Sequence, residues 1–116
     1  FKPSLLVGGG ETTVTIKGKG LGGRNLETAL AAVKDLAGIP NIALVTLATD
    51  GEDGPTDAAG AIVTGETFSE GMKKGLDPDL FLDNNDSYHY FEQMGGLIKT
   101  GSTGTNVNDL VFLFHF

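Results

Sequence analysis

The sequence predicts an α/β fold: a single domain, residues 1–116, with a mixed β-sheet flanked by helices. Three observations carry that reading. Apolar residues recur at helical spacing between Arg24 and Ala37. The run NIALVTLA, Asn41–Ala48, is continuously apolar, as in a strand covered on both faces. Two more strand-sized runs, LIKT and LVFLF, follow a series of short helical stretches. A length of 116 residues with 40% hydrophobic content suits one domain with one core.

In chain order, TTVTIK, Thr12–Lys17, alternates polar and apolar residues and is expected to be a strand with one face on the core. GKGLGG makes a loop, and the helix from Arg24 to Ala37 is stopped by Gly38 and Pro40. After NIALVTLA comes the acidic loop TDGEDGPTDAAG, with Asp57 as the expected cap of a short helix over Ala58–Val63. A second helix near Thr67–Lys74 ends at Gly75, and Asp77-Pro78 opens a third. Asp86 or Ser87 caps a fourth, closed by Gly95. The loop GSTGTNVND joins the last two strands.

The formal net charge of −7, from 15 acids against 8 Lys and Arg, argues against a nucleic-acid surface. No apolar run approaches the ~20 residues of a membrane helix, and the absence of cysteine excludes disulfides and thiolate metal sites. The opening FKPSLLVGGG has neither an initiator Met nor a signal-like pattern, and reads as a cut into a longer chain.

Four segments could carry chemistry. In GKGLGG, the glycines Gly18, Gly20 and Gly23 satisfy G-x-G-x-x-G before a helix, and Asp50 ends the next strand, which is the dinucleotide pattern. Thr13, Thr15 and Lys17, however, give the preceding strand a polar face. A phosphate or carboxylate cradle fits the loop better. Glycines admit close approach, helix N–H groups and the dipole favour an anion, and Lys19 and Arg24 add charge. The bland alternative is a glycine-rich connection beside a solvated Arg. The acidic loop fails calcium-hand spacing, with Gly54 at a ligand position and Ala61 in place of the Glu. Its acids suit either Mg²⁺ shared with substrate phosphates or plain turns and a cap. TGSTGTNVND, Thr100–Asp109, is dense in possible anion donors but is equally a turn-rich connection. NNDS, Asn84–Ser87, is most simply a helix cap, with His89 on the surface beyond it.

Taken in order, GGETTVTIKGKGLGGRN, ATDGEDGPTDAAGAIV, LDNNDSYHYF and TGSTGTNVNDL resemble the C-terminal MOFRL domain of the glycerate kinases that phosphorylate the 2-hydroxyl. The resemblance runs from about Gly9 to Leu110, with Leu21 where Lys or Gly is usual and Ser102 where Pro is usual. It implies a two-domain, cytoplasmic enzyme, open to oligomerisation. That enzyme transfers phosphate from ATP, with Mg²⁺, to D-glycerate to give 2-phosphoglycerate. Its active site would lie between this domain and a larger N-terminal one, leaving this chain inactive alone. Arg24 becomes the expected catalytic clamp. Lys19, Gly20, Gly22, Gly23, Asn25, Asn106 and Asn108 become substrate or phosphate contacts, and Asp50 and Asp53 metal candidates, with Asp57 capping the helix behind them. The rival readings are an NAD(P)-dependent hydroxypyruvate reductase and a non-catalytic small-anion binding module.

Overall fold

The computed structural model describes residues 4–10, 18–104 and 109–116. The strand expected over Thr12–Lys17 and the candidates Asn106 and Asn108 lie outside the described residues. Among the described residues, five strands and four helices follow one another as β1 (Ser4–Gly10), α1 (Arg24–Leu36), β2 (Ile42–Ala48), β3 (Gly60–Thr64), α2 (Thr67–Lys73), α3 (Pro78–Asp83), α4 (Ser87–Met94), β4 (Leu97–Ile98) and β5 (Asp109–His115).

The helices end where their chemistry predicts. Gly38 leaves α1 and Gly75 leaves α2, both with positive φ, and Gly95 closes α4 in the left-handed conformation. Pro78 occupies the first turn of α3, whose cap Asp77 accepts a hydrogen bond from the Asp79 N–H at 3.0 Å. Along α1 the apolar stripe Leu26, Ala29, Leu30 and Val33 is buried against the sheet. Each Leu or Val burial contributes about 1.5–3 kcal/mol.

The strands lie in the order β1-β5-β2-β3-β4. Every neighbouring pair among the described residues is antiparallel, which corrects the expectation of a mixed sheet. The reason is positional. β1 and β2 run the same way, joined across α1, but β5 inserts between them and pairs antiparallel with both.

Two expected elements differ. Ser4–Gly10, to which sequence patterning assigns no strand, forms the full register of β1 against β5. The helix expected over Ala58–Val63 is replaced by strand β3. Its alanines suit a helix, but Gly60 marks a place where two backbones nearly touch. A Cβ there would lie 1.7 Å from the Thr46 carbonyl oxygen of β2. Gly60→Ala should therefore cost about 1–3 kcal/mol through forced backbone displacement. Urea unfolding reads this as a lower midpoint, and an unchanged midpoint would show that the β2–β3 contact relaxes freely.

The core lies between the helices and one sheet face. Leu44, Thr46 and Ala48 of β2 are buried on that face, with Ala61 and Val63 of β3 beside them. The intervening Ala43, Val45 and Leu47 are only half-buried, so the expected two-sided covering of β2 is one-sided among the described residues. Tyr90 and Phe91 of α4 fill the centre, with ring centroids 5.2 Å apart and edge to face. The buried Tyr90 hydroxyl has no hydrogen-bond partner among the described residues, and burial pushes its pKa up to about 12.

Candidate active site

The end of β2, the starts of β3 and β5, and the first turn of α1 meet at one end of the sheet. There Ala48 pairs with Asp109, and Asp109 pairs with Gly10. The loops expected to carry chemistry converge on this end. Thr103 donates its N–H to the Asp50 carbonyl and its hydroxyl to the Thr49 carbonyl, tying the 99–104 segment to the acidic loop.

Asp53 is the hinge of the arrangement. It is 1% exposed. Its Oδ1 accepts from the Asn25 N–H at 3.0 Å, and its Oδ2 from the Leu26 N–H at 2.8 Å. These are orphan donors at the start of α1, so Asp53 caps that helix from 28 residues away in the sequence. Gly23, at the N-cap position, brings no side chain, and a Cβ there would lie 2.6 Å from Asp53 atoms. Burial pushes the Asp53 carboxyl above its usual range, while the hydrogen bonds from Leu26 and Asn25 pull it down.

Asn25 links two carboxylates. Its Nδ2 donates to Asp53 Oδ1 at 3.1 Å and to Asp109 Oδ1 at 2.9 Å. The second oxygen of the buried Asp109 accepts from Arg24 Nε in a charge-assisted pair. The Arg24 side chain is still 40% exposed, so a guanidinium held by its Nε edge stands at the surface of the site. Thr46 supports the row from beneath, donating its hydroxyl to the Asn25 carbonyl at 2.9 Å.

The glycine loop has a different job from the one its pattern suggests. Gly18 N–H donates to Asn85 Oδ1, Lys19 N–H to Asn84 Oδ1, Gly20 N–H to the Asn84 carbonyl, and Leu21 N–H to Asp86 Oδ1. NNDS is thus a dock for this loop more than a cap, and the Asp86 side chain makes no cap hydrogen bond to α4. Lys19 is exposed. The expected anion cradle of Lys19 and Gly20 is filled by the protein's own oxygens, and the α1 terminus by the Asp53 carboxylate. The dinucleotide reading loses its pyrophosphate seat on the same grounds, and an antiparallel sheet is not the parallel one it needs.

Asp57 does not cap a helix. It is exposed, accepts from the Tyr88 hydroxyl at 2.7 Å and pairs with Lys99 at 3.3 Å. The Tyr88 hydrogen bond, with Lys99 beside it, holds its carboxyl below the usual range. Asp50, half-buried, closes a tight turn by accepting from the Glu52 N–H at 3.0 Å. Among the described residues no three acids or histidines converge as a metal cluster. Asp53 has both oxygens engaged by N–H donors, and Asp50 is the less buried of the two expected metal candidates.

The MOFRL family matches this chain over residues 4–109. The chain belongs to that family. The MOFRL chain is 54% identical over 110 residues to D-glycerate 2-kinase of Thermotoga maritima, covering 95% of this chain and 26% of that protein. It is 50% identical to glycerate 2-kinase of Pyrococcus horikoshii, covering 94% and 25%, and 45% identical to human glycerate kinase, covering 97% and 23%. The crystal structure of glycerate kinase from Thermotoga maritima superposes with a TM-score of 0.97 at 51% identity, over 99% of this chain and 28% of that one. The MOFRL chain therefore spans about a quarter of the length of these relatives.

Sequence patterning missed Asp109 as the anchor of Arg24. It sits at the end of a loop flagged for its hydroxyls, and nothing local marks it as a partner for a residue 85 positions earlier.

Proposed function

We propose that this chain is the part of a D-glycerate 2-kinase that supplies an arginine clamp for phosphoryl transfer from ATP to the 2-hydroxyl of glycerate. The observation that carries it is the Arg24–Asp109 pair. A buried carboxylate, braced by Asn25, fixes one edge of a guanidinium whose side chain is still partly exposed. Phosphoryl transfer asks chiefly for positioning and neutralisation of charge on the moving group, and a pre-oriented guanidinium supplies both. The names of the long relatives support the substrate and the reaction. In this reading Asp109 is a positioning residue, acting through Arg24. Asp50, the less buried of the two metal candidates, would meet a magnesium ion carried in by the nucleotide. The remaining groups, including the base for the glycerate hydroxyl, belong to the larger domain that the family resemblance sets N-terminal to this one.

The test uses the Thermotoga maritima D-glycerate 2-kinase with this chain in place of its matching segment, beside the chain alone. ATP-dependent formation of phosphoglycerate is expected in the chimera and not in the chain alone. Oxidation of NADH with hydroxypyruvate, without ATP-dependent turnover, would replace the kinase by a reductase. Binding of phosphate or glycerate without either turnover would leave an anion-binding module.

A further inference from the structure

The sheet has a second face that the described helices do not cover. Register pairing puts Val7, Phe112, Val45 and Ile62 in one row across four strands. The next row is Leu5, Phe114, Ala43 and Thr64, and a third holds Gly9, Leu110, Leu47 and Gly60. Leu5 is 54% exposed, Val7 52%, Ile62 44% and Phe114 37%. The Phe112 and Phe114 rings lie near-parallel on this face, 6.3 Å apart.

Composition separates this face from an ordinary solvated one. None of the chain's 15 acids, 8 Lys and Arg or 2 His belongs to these rows. A sheet with one face in water alternates apolar with polar residues, whereas β2 and β5 are mainly apolar on both faces, Thr46 and the terminal Asp109 and His115 apart, the pattern of strands buried from both sides. Contiguous apolar patches beyond roughly a few hundred Å² mark contact surfaces.

We infer that this bare face is the seat of the remainder of the longer enzyme, which packs on it as a second layer. The length relation identifies the occupant. In the Thermotoga maritima structure the same fold, at a TM-score of 0.97, makes up 28% of the chain, so most of the polypeptide lies outside it. A second copy of this chain is the competing occupant, but the relatives all carry the additional length, covalently present at high effective concentration. The inference rests on family membership and chain length, and not on the kinase chemistry.

Carbene footprinting of the chain alone and of the chimera tests it. Leu5, Val7, Ile62 and Phe114 are expected to label strongly in the chain alone and several-fold less in the chimera. Met72 and Leu80, exposed on the helical side, should label equally in both. Ile62→Lys should lower the Tm of the chimera by several degrees and leave that of the chain alone unchanged. Should the chimera not fold, the remainder of the Thermotoga protein is supplied as a separate polypeptide and read by the same labels. Unchanged labelling of the face in the long protein, or with the added remainder, overturns the inference. So does equal destabilisation by Ile62→Lys in both contexts. Labelling of the chain alone that falls as its concentration rises assigns the face to a second copy, and also overturns it. Because no readout is enzymatic, an inactive chimera with a protected face sinks the kinase reading alone.

Discussion

Asp53→Ala is expected to cost the fold about 3–5 kcal/mol, the sum of a lost helix cap and of buried donors left unpaired. Three donors lose their acceptor: the N–H groups of Asn25 and Leu26 and one hydrogen of the Asn25 side-chain amide. Water does not replace the carboxylate readily at a position 1% exposed. A domain of this size has about 5–15 kcal/mol in all, so the variant is left marginal. Chemical denaturation measures it, with a lower midpoint at an unchanged m-value, and a loss under 1 kcal/mol would remove Asp53 from the cap. The pH dependence has a definite sign. Burial raises the Asp53 pKa above its unfolded value, so the folded state holds this proton more tightly. Its contribution to stability is therefore greatest at low pH and declines as pH rises from the ordinary carboxylate range through the raised value. Asp53→Ala lacks that term, so its deficit relative to the natural chain should narrow over this window.

Arg24→Ala in the chimera should lower kcat by about 10²–10³, equivalent to about 2.7–4 kcal/mol of transition-state stabilisation. Arg24 is half-exposed at the first position of α1, and its loss leaves Asp109 still held by Asn25. The fold should accordingly survive, with far-UV circular dichroism unchanged and a modest shift in Tm. Lysine at this position keeps the charge but not the planar fork held at Nε, so Arg24→Lys should recover only part of the rate. Near-normal kcat in Arg24→Ala would take the residue out of catalysis. A fall in rate matched by unfolding would mean that its role is to hold Asp109.

Patterns that are local were legible in the sequence. The α1 stripe, the Pro78 start, the Gly75 and Gly95 stops and the runs of β2 and β5 are each decided by neighbours a few residues apart. What escaped depends on distant partners. Ser4–Gly10 ends in three glycines, poor strand formers, and becomes a strand because β5 offers it a complete ladder. Ala58–Val63 has helical composition, but Gly60 lets it lie against Thr46. That the cap falls to Asp53 and not to Asp57 was invisible for the same reason. Both suit a cap, and only the packed fold puts α1 beside one and Tyr88 beside the other. The glycine loop looked ready for an outside anion because its acceptors, Asn84 to Asp86, lie about 65 residues downstream.

The placement of β5 has a consequence for how the domain assembles during synthesis. Last of the five described strands to be translated, it occupies an interior position in the sheet, with β1 on one side and β2 on the other. Until it threads in, those two strands have no ladder to each other, and the slow closure of distant contacts dominates assembly. Asp109 begins that strand, so the pair it forms with Arg24, made 85 residues earlier, waits for β5. A nascent chain stalled short of β5 lacks this contact, and the Arg24–Asp109 pair forms only at the step that completes the sheet.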